Sequence, residues 1–240
     1  MNQAIYTNQK GQGLVEYALL LTAVALTAVG ILSLLGVQVS DVFCQVSEGV
    51  SGENICNSVL FFDDFGQDLE NWYLFDNDDK NWKTTNGNDP ELCYSGRGSN
   101  GVLANDSEGA DYAISVKANA SANKDYGVYF RASENENGQI DGYTFEYEPG
   151  HQGGQFVMRK WVNGYAIWPP VATAPVPREY RGQNAERHIE INVTGNRFTA
   201  TIDGEEVLVG QDDTYAEGSA GLYVSDNGRA CFDDFTVESH

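Results

Sequence analysis

Apolar residues run almost unbroken from Leu14 to Leu35, with Glu16 as the single charge. At about 1.5 Å per residue, these roughly 22 residues reach about 33 Å as a helix, enough to cross a bilayer. A long N-terminal hydrophobic helix is therefore predicted over residues 12–36. The short polar segment 1–11 ahead of it carries one basic residue, Lys10, and reads as a leader peptide. Residues 37–58 turn amphipathic and then polar, and read as a connector. From Val59 onward the period becomes two, in short runs bounded by Gly, Asn and Asp. Candidate strands are Val59 to Phe65, Trp72 to Phe75, Tyr112 to Ala118, Tyr126 to Ala132, Gly142 to Tyr147, Gln155 to Trp161, His188 to Thr194, Arg197 to Ile202, Glu205 to Val209, Ala220 to Val224 and Ala230 to Val237. Their spacing, close to the roughly 8 to 12 residues of a sandwich, predicts an antiparallel β-sandwich over 59–240. The expected class is α+β: the helix followed by a jelly roll.

Composition narrows the function. With 35 acidic and 14 basic residues, the chain carries a formal charge of −21, which argues against nucleic acid or anionic lipid as the main partner. Thirteen Tyr and 26 Gly against two Met describe a β-rich secreted composition. Four cysteines behind a membrane-targeting helix suggest two disulfides, with three connectivities open. The pairing closest in sequence joins Cys44 to Cys56 and leaves Cys93 with Cys231.

The helical stretch has a signature at its start. Gly11 followed by Gln12-Gly13-Leu14-Val15-Glu16-Tyr17 resembles the processing site of type IVb pilins of the Flp (tight-adherence) kind. The resemblance implies cleavage by a prepilin peptidase between Gly11 and Gln12, which places Glu16 and Tyr17 at the fifth and sixth mature positions. It further implies a pilin that waits in the cytoplasmic membrane. An assembly machinery would then pack it with identical subunits into an extracellular filament, Glu16 meeting a neighbour's new amino terminus. The competing reading is a plain anchor with Glu16 at the headgroup level.

Phe62-Asp63-Asp64-Phe65 recurs as Phe232-Asp233-Asp234-Phe235, as though the first and last strands lay side by side. Together with Trp72, Gly127 to Ala132, Phe198 to Gly204 and Gly221-Leu222-Tyr223, this order resembles the concanavalin A-like, laminin-G-like jelly rolls of carbohydrate-binding modules. Sugar rings stack on aromatic faces while flanking polar groups bond the hydroxyls. Alternation puts Tyr143, Phe145 and Tyr147 on one strand face and Thr144, Glu146 and Glu148 on the other, and Tyr129 with Arg131 on a common face. The expected sugar groove is lined by Arg131, Glu146, Trp161, Tyr165 and Trp168. The bland alternative makes these aromatics core or subunit contacts.

Asp63, Asp64, Asp233 and Asp234 are candidate ligands for a structural Ca2+, although adjacent acids on a strand point to opposite faces. Enzyme signals are weak. Glu146-Tyr147-Glu148 lacks the longer acidic run of jelly-roll glucanases, and the three histidines give no triad or metal spacing. The expectation is a non-enzymatic pilin displaying a lectin-like sandwich for adhesion or shielding. Its alternative is a membrane-anchored carbohydrate-binding module or surface glycosidase that does not polymerise.

Overall fold

The computed structural model describes residues 58–75, 80–121, 124–149, 153–181, 185–225 and 229–240. All lie in the second of the chain's two units, Asn57–His240. Strands β1 (Val59–Asp63), β3 (Trp82–Thr84), β4 (Leu92–Tyr94), β6 (Tyr112–Ala120), β12 (Arg187–Thr194), β13 (Arg197–Ile202), β14 (Glu205–Gln211) and β16 (Ala230–Ser239) form one eight-stranded sheet. The other holds β2 (Trp72–Leu74), β5 (Asn100–Ala104), β7 (Asp125–Glu134), β8 (Ile140–Glu148), β9 (Gln155–Val162), β10 (Tyr165–Ala166), β11 (Ala172–Pro175) and β15 (Ser219–Ser225). Within the second sheet the order is β10-β9-β8-β7-β15-β5-β2, with β11 also paired to β9. The proline-rich segment Pro170 to Pro177 contributes the strand β11.

The two sheets bury different amounts of themselves. In the first, β6 alternates strictly between buried and half-buried residues, the pattern of a sheet with one wet face. In the second, β8 is buried at nearly every position on both faces. Between the sheets lies an aromatic core: Phe130 stacks on Tyr143 at 5.3 Å and meets Phe198 edge-on at 4.9 Å. Phe61, Trp72 and Phe235 close one end through edge contacts. The duplicated Phe-Asp-Asp-Phe segments meet there, since β1 pairs antiparallel with β16 and sets Asp63 opposite Phe235. Cys93 and Cys231 face each other across β4 and β16 and are joined by a disulfide.

The α+β class is corrected to an all-β sandwich. Helical content among the described residues is confined to 3-10 turns such as Arg178–Tyr180, and no helix among them is long and apolar enough to cross a membrane. The α part of the class came from the hydropathy of residues 12–36, whereas the described elements beyond Ser58 are strands and 3-10 turns. The pilin, Flp and transmembrane-helix readings are corrected with it, because the fold that is described has no helix to build a filament core. Gly11, Gln12, Glu16, Tyr17, Cys44 and Cys56, which carry those readings and the second disulfide, lie outside the described residues.

Phe130 is fully buried. Phe130→Ala should cost about 3–5 kcal/mol of stability, seen as a lowered urea midpoint in the full-length protein with the far-ultraviolet β signal retained before the transition.

Candidate functional site

The site is built on the outward face of the second sheet. Because Tyr143, Phe145 and Tyr147 of β8 point into the core, Gly142, Thr144, Glu146 and Glu148 must point out. Register then fixes their neighbours: Thr144 stands opposite Arg159, Gly142 opposite Trp161 and Glu146 opposite Val157. On the other side Tyr129 of β7 lies opposite Thr144, and Gly127 opposite Glu146. Tyr129 in turn pairs with Gly221 of β15, and Tyr223 with Gly127. Each large ring is set across from a residue with no side chain. A Cβ on Gly127 would fall 1.8 Å from the Phe145 carbonyl oxygen, and one on Gly221 2.1 Å from that of Val102, so these strands pack more closely than a side chain allows.

This arrangement produces a second apolar cluster, separate from the main core: Leu103, Tyr129, Ala132, Ile140 and Tyr223, with Phe75 and Trp161 packed against it. Tyr129 and Tyr223 meet edge-on at 5.5 Å, and Trp161 lies 5.7 Å from Tyr223. Burial pushes the phenols of Tyr129 and Tyr223 above their ordinary range, so both stay neutral donors.

Beside the rings runs a polar chain. The Trp161 indole N–H donates to Thr144 Oγ1 at 2.8 Å, and that hydroxyl donates to Glu146 Oε1 at 2.6 Å. Arg159 Nε donates to Glu146 Oε2 at 3.0 Å, and its Nη2 donates to Glu148 Oε1 at 2.5 Å. Glu146 is 2% exposed, and burial pushes its carboxyl up to about 7 against the opposing pull of Arg159 and Thr144. The Arg159 side chain remains 21% exposed, and it opens into a groove of about 400 Å³. The groove floor is Val157 and Arg159 of β9, and its wall is Trp168-Pro169-Pro170. Trp168 is 80% exposed and Tyr165 71%. A solvated indole and a pinned guanidinium line the same groove, the one a stacking surface and the other a directed donor.

Of the residues expected to line a sugar groove, the structure brings Glu146, Trp161 and Trp168 to this face, and Tyr165 follows on β10. Arg131 is elsewhere. A bulge between Phe130 and Ser133 breaks the alternation of β7, Arg131 takes a positive φ of 46°, and its side chain enters the end of the sandwich. There it is buried, donating to the carbonyls of Ala110, Tyr215 and Gly195 at 2.6 to 3.0 Å and to Asp111 at 3.3 Å. Arg131 is thus a structural tie, not a groove residue. Sequence reasoning missed Arg159, and it named Tyr129 and Tyr223 without placing them at this site. The signal for Arg159 was present, since it stands two residues from Trp161 on one strand and therefore on the same face.

The four aspartates proposed for calcium do not form one ligand set. Asp63 accepts from the Phe65 amide at 2.7 Å and the Trp72 indole at 2.7 Å, and Asp64 accepts from the Gly66 amide. Asp234 is paired with Lys117, and Asp233 accepts from the Asp234 amide. Among the described residues, the cluster with metal-ligand proximity is Glu91, Cys93 and Cys231, and its two sulfurs are consumed in the disulfide.

Residues 57–238 match the family described as the 3-keto-alpha-glucoside-1,2-lyase-like domain. No match was found among curated proteins. Among solved structures, the carbohydrate-binding module CBM66 from Bacillus subtilis is 21% identical with a TM-score of 0.56, over 70% of this chain and 96% of that one. A Bacillus subtilis protein of unknown function with a galectin-like fold is 12% identical with a TM-score of 0.56, over 77% and 98%. The kappa-carrageenase of Pseudoalteromonas carrageenovora, in complex with an oligotetrasaccharide of kappa-carrageenan, is 12% identical with a TM-score of 0.52, over 78% and 97%. These likenesses establish the galectin-like jelly-roll architecture.

Two outcomes separate structural from site residues. Arg131→Met strands three carbonyls and should lower stability by about 3 kcal/mol or more, measured by chemical unfolding. The Glu146 carboxyl, raised from 4.5 to about 7 in the folded state, gives its full stabilisation below about pH 4.5 and loses it as the pH climbs through 7. Unfolding free energy should therefore fall across that window in the wild type and fall less in Glu146→Gln.

Proposed function

The chain belongs, through residues 57–238, to the 3-keto-alpha-glucoside-1,2-lyase-like domain family, and on that premise we propose that its jelly roll binds carbohydrate in the groove between β9 and Trp168-Pro169-Pro170. The observation that carries this reading is the pairing of an almost fully solvated Trp168 with Arg159, whose two other arms are fixed by buried carboxylates. Trp168 is exposed together with Tyr165 and Ile167, and a contiguous apolar patch of this kind marks a binding surface. Arg159 held at two points loses little freedom on bonding a hydroxyl. Trp161 and Tyr165 extend the aromatic surface beyond the groove. The CBM66 relative is by name a carbohydrate-binding module and the carrageenase complex holds an oligosaccharide, which supports the same class of ligand.

A second reading, cleavage of a glycosidic bond as the family description suggests, has one observation in its favour. Glu146 is poised for proton transfer near neutrality by its burial. Both of its oxygens are occupied, by Thr144 and Arg159, so in this arrangement it holds Arg159 in place. Binding is the better supported function. The Cys93–Cys231 disulfide further supports an oxidising, extracytoplasmic location.

Trp168→Ala should weaken glycan binding by at least about tenfold, or roughly 1.4 kcal/mol, in calorimetry against the best ligand from a glycan array, with the unfolding midpoint unchanged. An array on which the wild-type protein retains nothing would refute the binding reading. Release of new reducing ends from a retained sugar would move the assignment to the enzyme.

A further inference from the structure

Charge around the groove distinguishes which carbohydrates it can take. Among the described residues, Arg159 is the sole charged residue lining it, the rest being Trp, Pro, Gln, Thr and small apolar side chains. That cation is not available as a surplus charge. Its Nε and Nη2 are committed to Glu146 and Glu148 at 3.0 and 2.5 Å, leaving Nη1 for a ligand. One guanidinium against two carboxylates leaves the cluster negative with both acids ionised, and no better than neutral when Glu146 holds a proton. The nearest other basic side chain on β9, Lys160, belongs to the alternate face and is spent on Asp212 at 2.9 Å and on the Thr214 hydroxyl. Around all of this the chain carries −21.

Sites that hold sulfate or carboxylate do so with free forks of arginine or with several unpaired cations. Here the fork is already occupied, and an incoming anion would meet two carboxylates within one or two bond networks of the donor it needs. A neutral hydroxyl has no such conflict. It can accept from Nη1 while the sugar's apolar face rests on Trp168, and the carboxylates strengthen the donor by holding it in line. Resting on the carbohydrate-binding reading above, we infer that the groove selects neutral glycans and rejects those bearing sulfate or uronate groups. Glu146 and Glu148 then serve as positioning residues that set this charge selectivity through Arg159.

The test uses the full chain and matched pairs of ligands: neutral gluco-, galacto- and manno-oligosaccharides printed beside their sulfated and uronic-acid counterparts. Hits are titrated at low salt, where charge effects are largest. Neutral members should bind at least tenfold more tightly than their anionic partners, with binding lost in Trp168→Ala. Glu148→Gln should shift the anionic-to-neutral affinity ratio toward the anion by about tenfold, and Glu146→Gln provides the same readout should the first variant fail to fold. Equal or tighter Trp168-dependent binding of a sulfated or uronate sugar would overturn the selectivity while leaving the carbohydrate-binding reading intact. Absence of Trp168-dependent binding to either set would overturn both.

Discussion

The inward row of β8 constrains almost everything else of interest. Tyr143, Phe145 and Tyr147 are driven into the core by the area they bury, and a strand that commits one face to the core commits the other to the opposite side without further choice. Thr144, Glu146 and Glu148 are outward because three aromatic rings are inward. Two carboxylates on a sheet face that is itself nearly dry would be costly alone. Arg159, delivered by register from the neighbouring strand, makes them tolerable, and the same bonds that satisfy the acids immobilise the arginine. A packing requirement in one layer thus becomes a directed donor in the groove.

The opposing sheet shows what would have happened without that chain of requirements. Its strands β6, β12 and β13 alternate in the ordinary way, and the outer face there is wet. The second sheet departs from this pattern at the place where Tyr129 and Tyr223 sit opposite Gly221 and Gly127, letting strands close in and rings fill the vacated space. An apolar cluster outside the core, flanked by a polar row and an exposed indole, is the arrangement on which the proposed carbohydrate reading rests. The core between the sheets already supplies the fold's aromatic packing.

Much of this was legible from residues alone, and the misses have identifiable causes. Period-two runs located most strands, and the repeat of Phe-Asp-Asp-Phe located the seam between β1 and β16. The short strands β3, β4, β5, β10 and β11 escaped the period-two reading, since each adds too few alternating positions beyond its flanking turns to stand out. Arg131 was assigned to the groove by extending the alternation of β7 past Tyr129. The bulge after Phe130 rotates the chain, and nothing in Gly127 to Ala132 announces it. The aspartates looked like a cation site because like charges close in sequence invite that reading, whereas turn amides, an indole and Lys117 use them. The α+β class was drawn from residues 12–36, and the all-β class belongs to the described sandwich.

The seam at β1 and β16 carries one more implication. Ser58 and Ser239 hydrogen-bond to each other, amide to carbonyl at 2.9 Å and hydroxyl to hydroxyl at 2.6 Å, so the sandwich starts and finishes at a single point on its surface. A domain with adjoining ends behaves as a cassette. It can be spliced into a surface loop of a host protein without prying either fold apart, and a new opening can be cut at one of its exposed turns once the old ends are joined. For this sandwich, portability follows from where two serines meet.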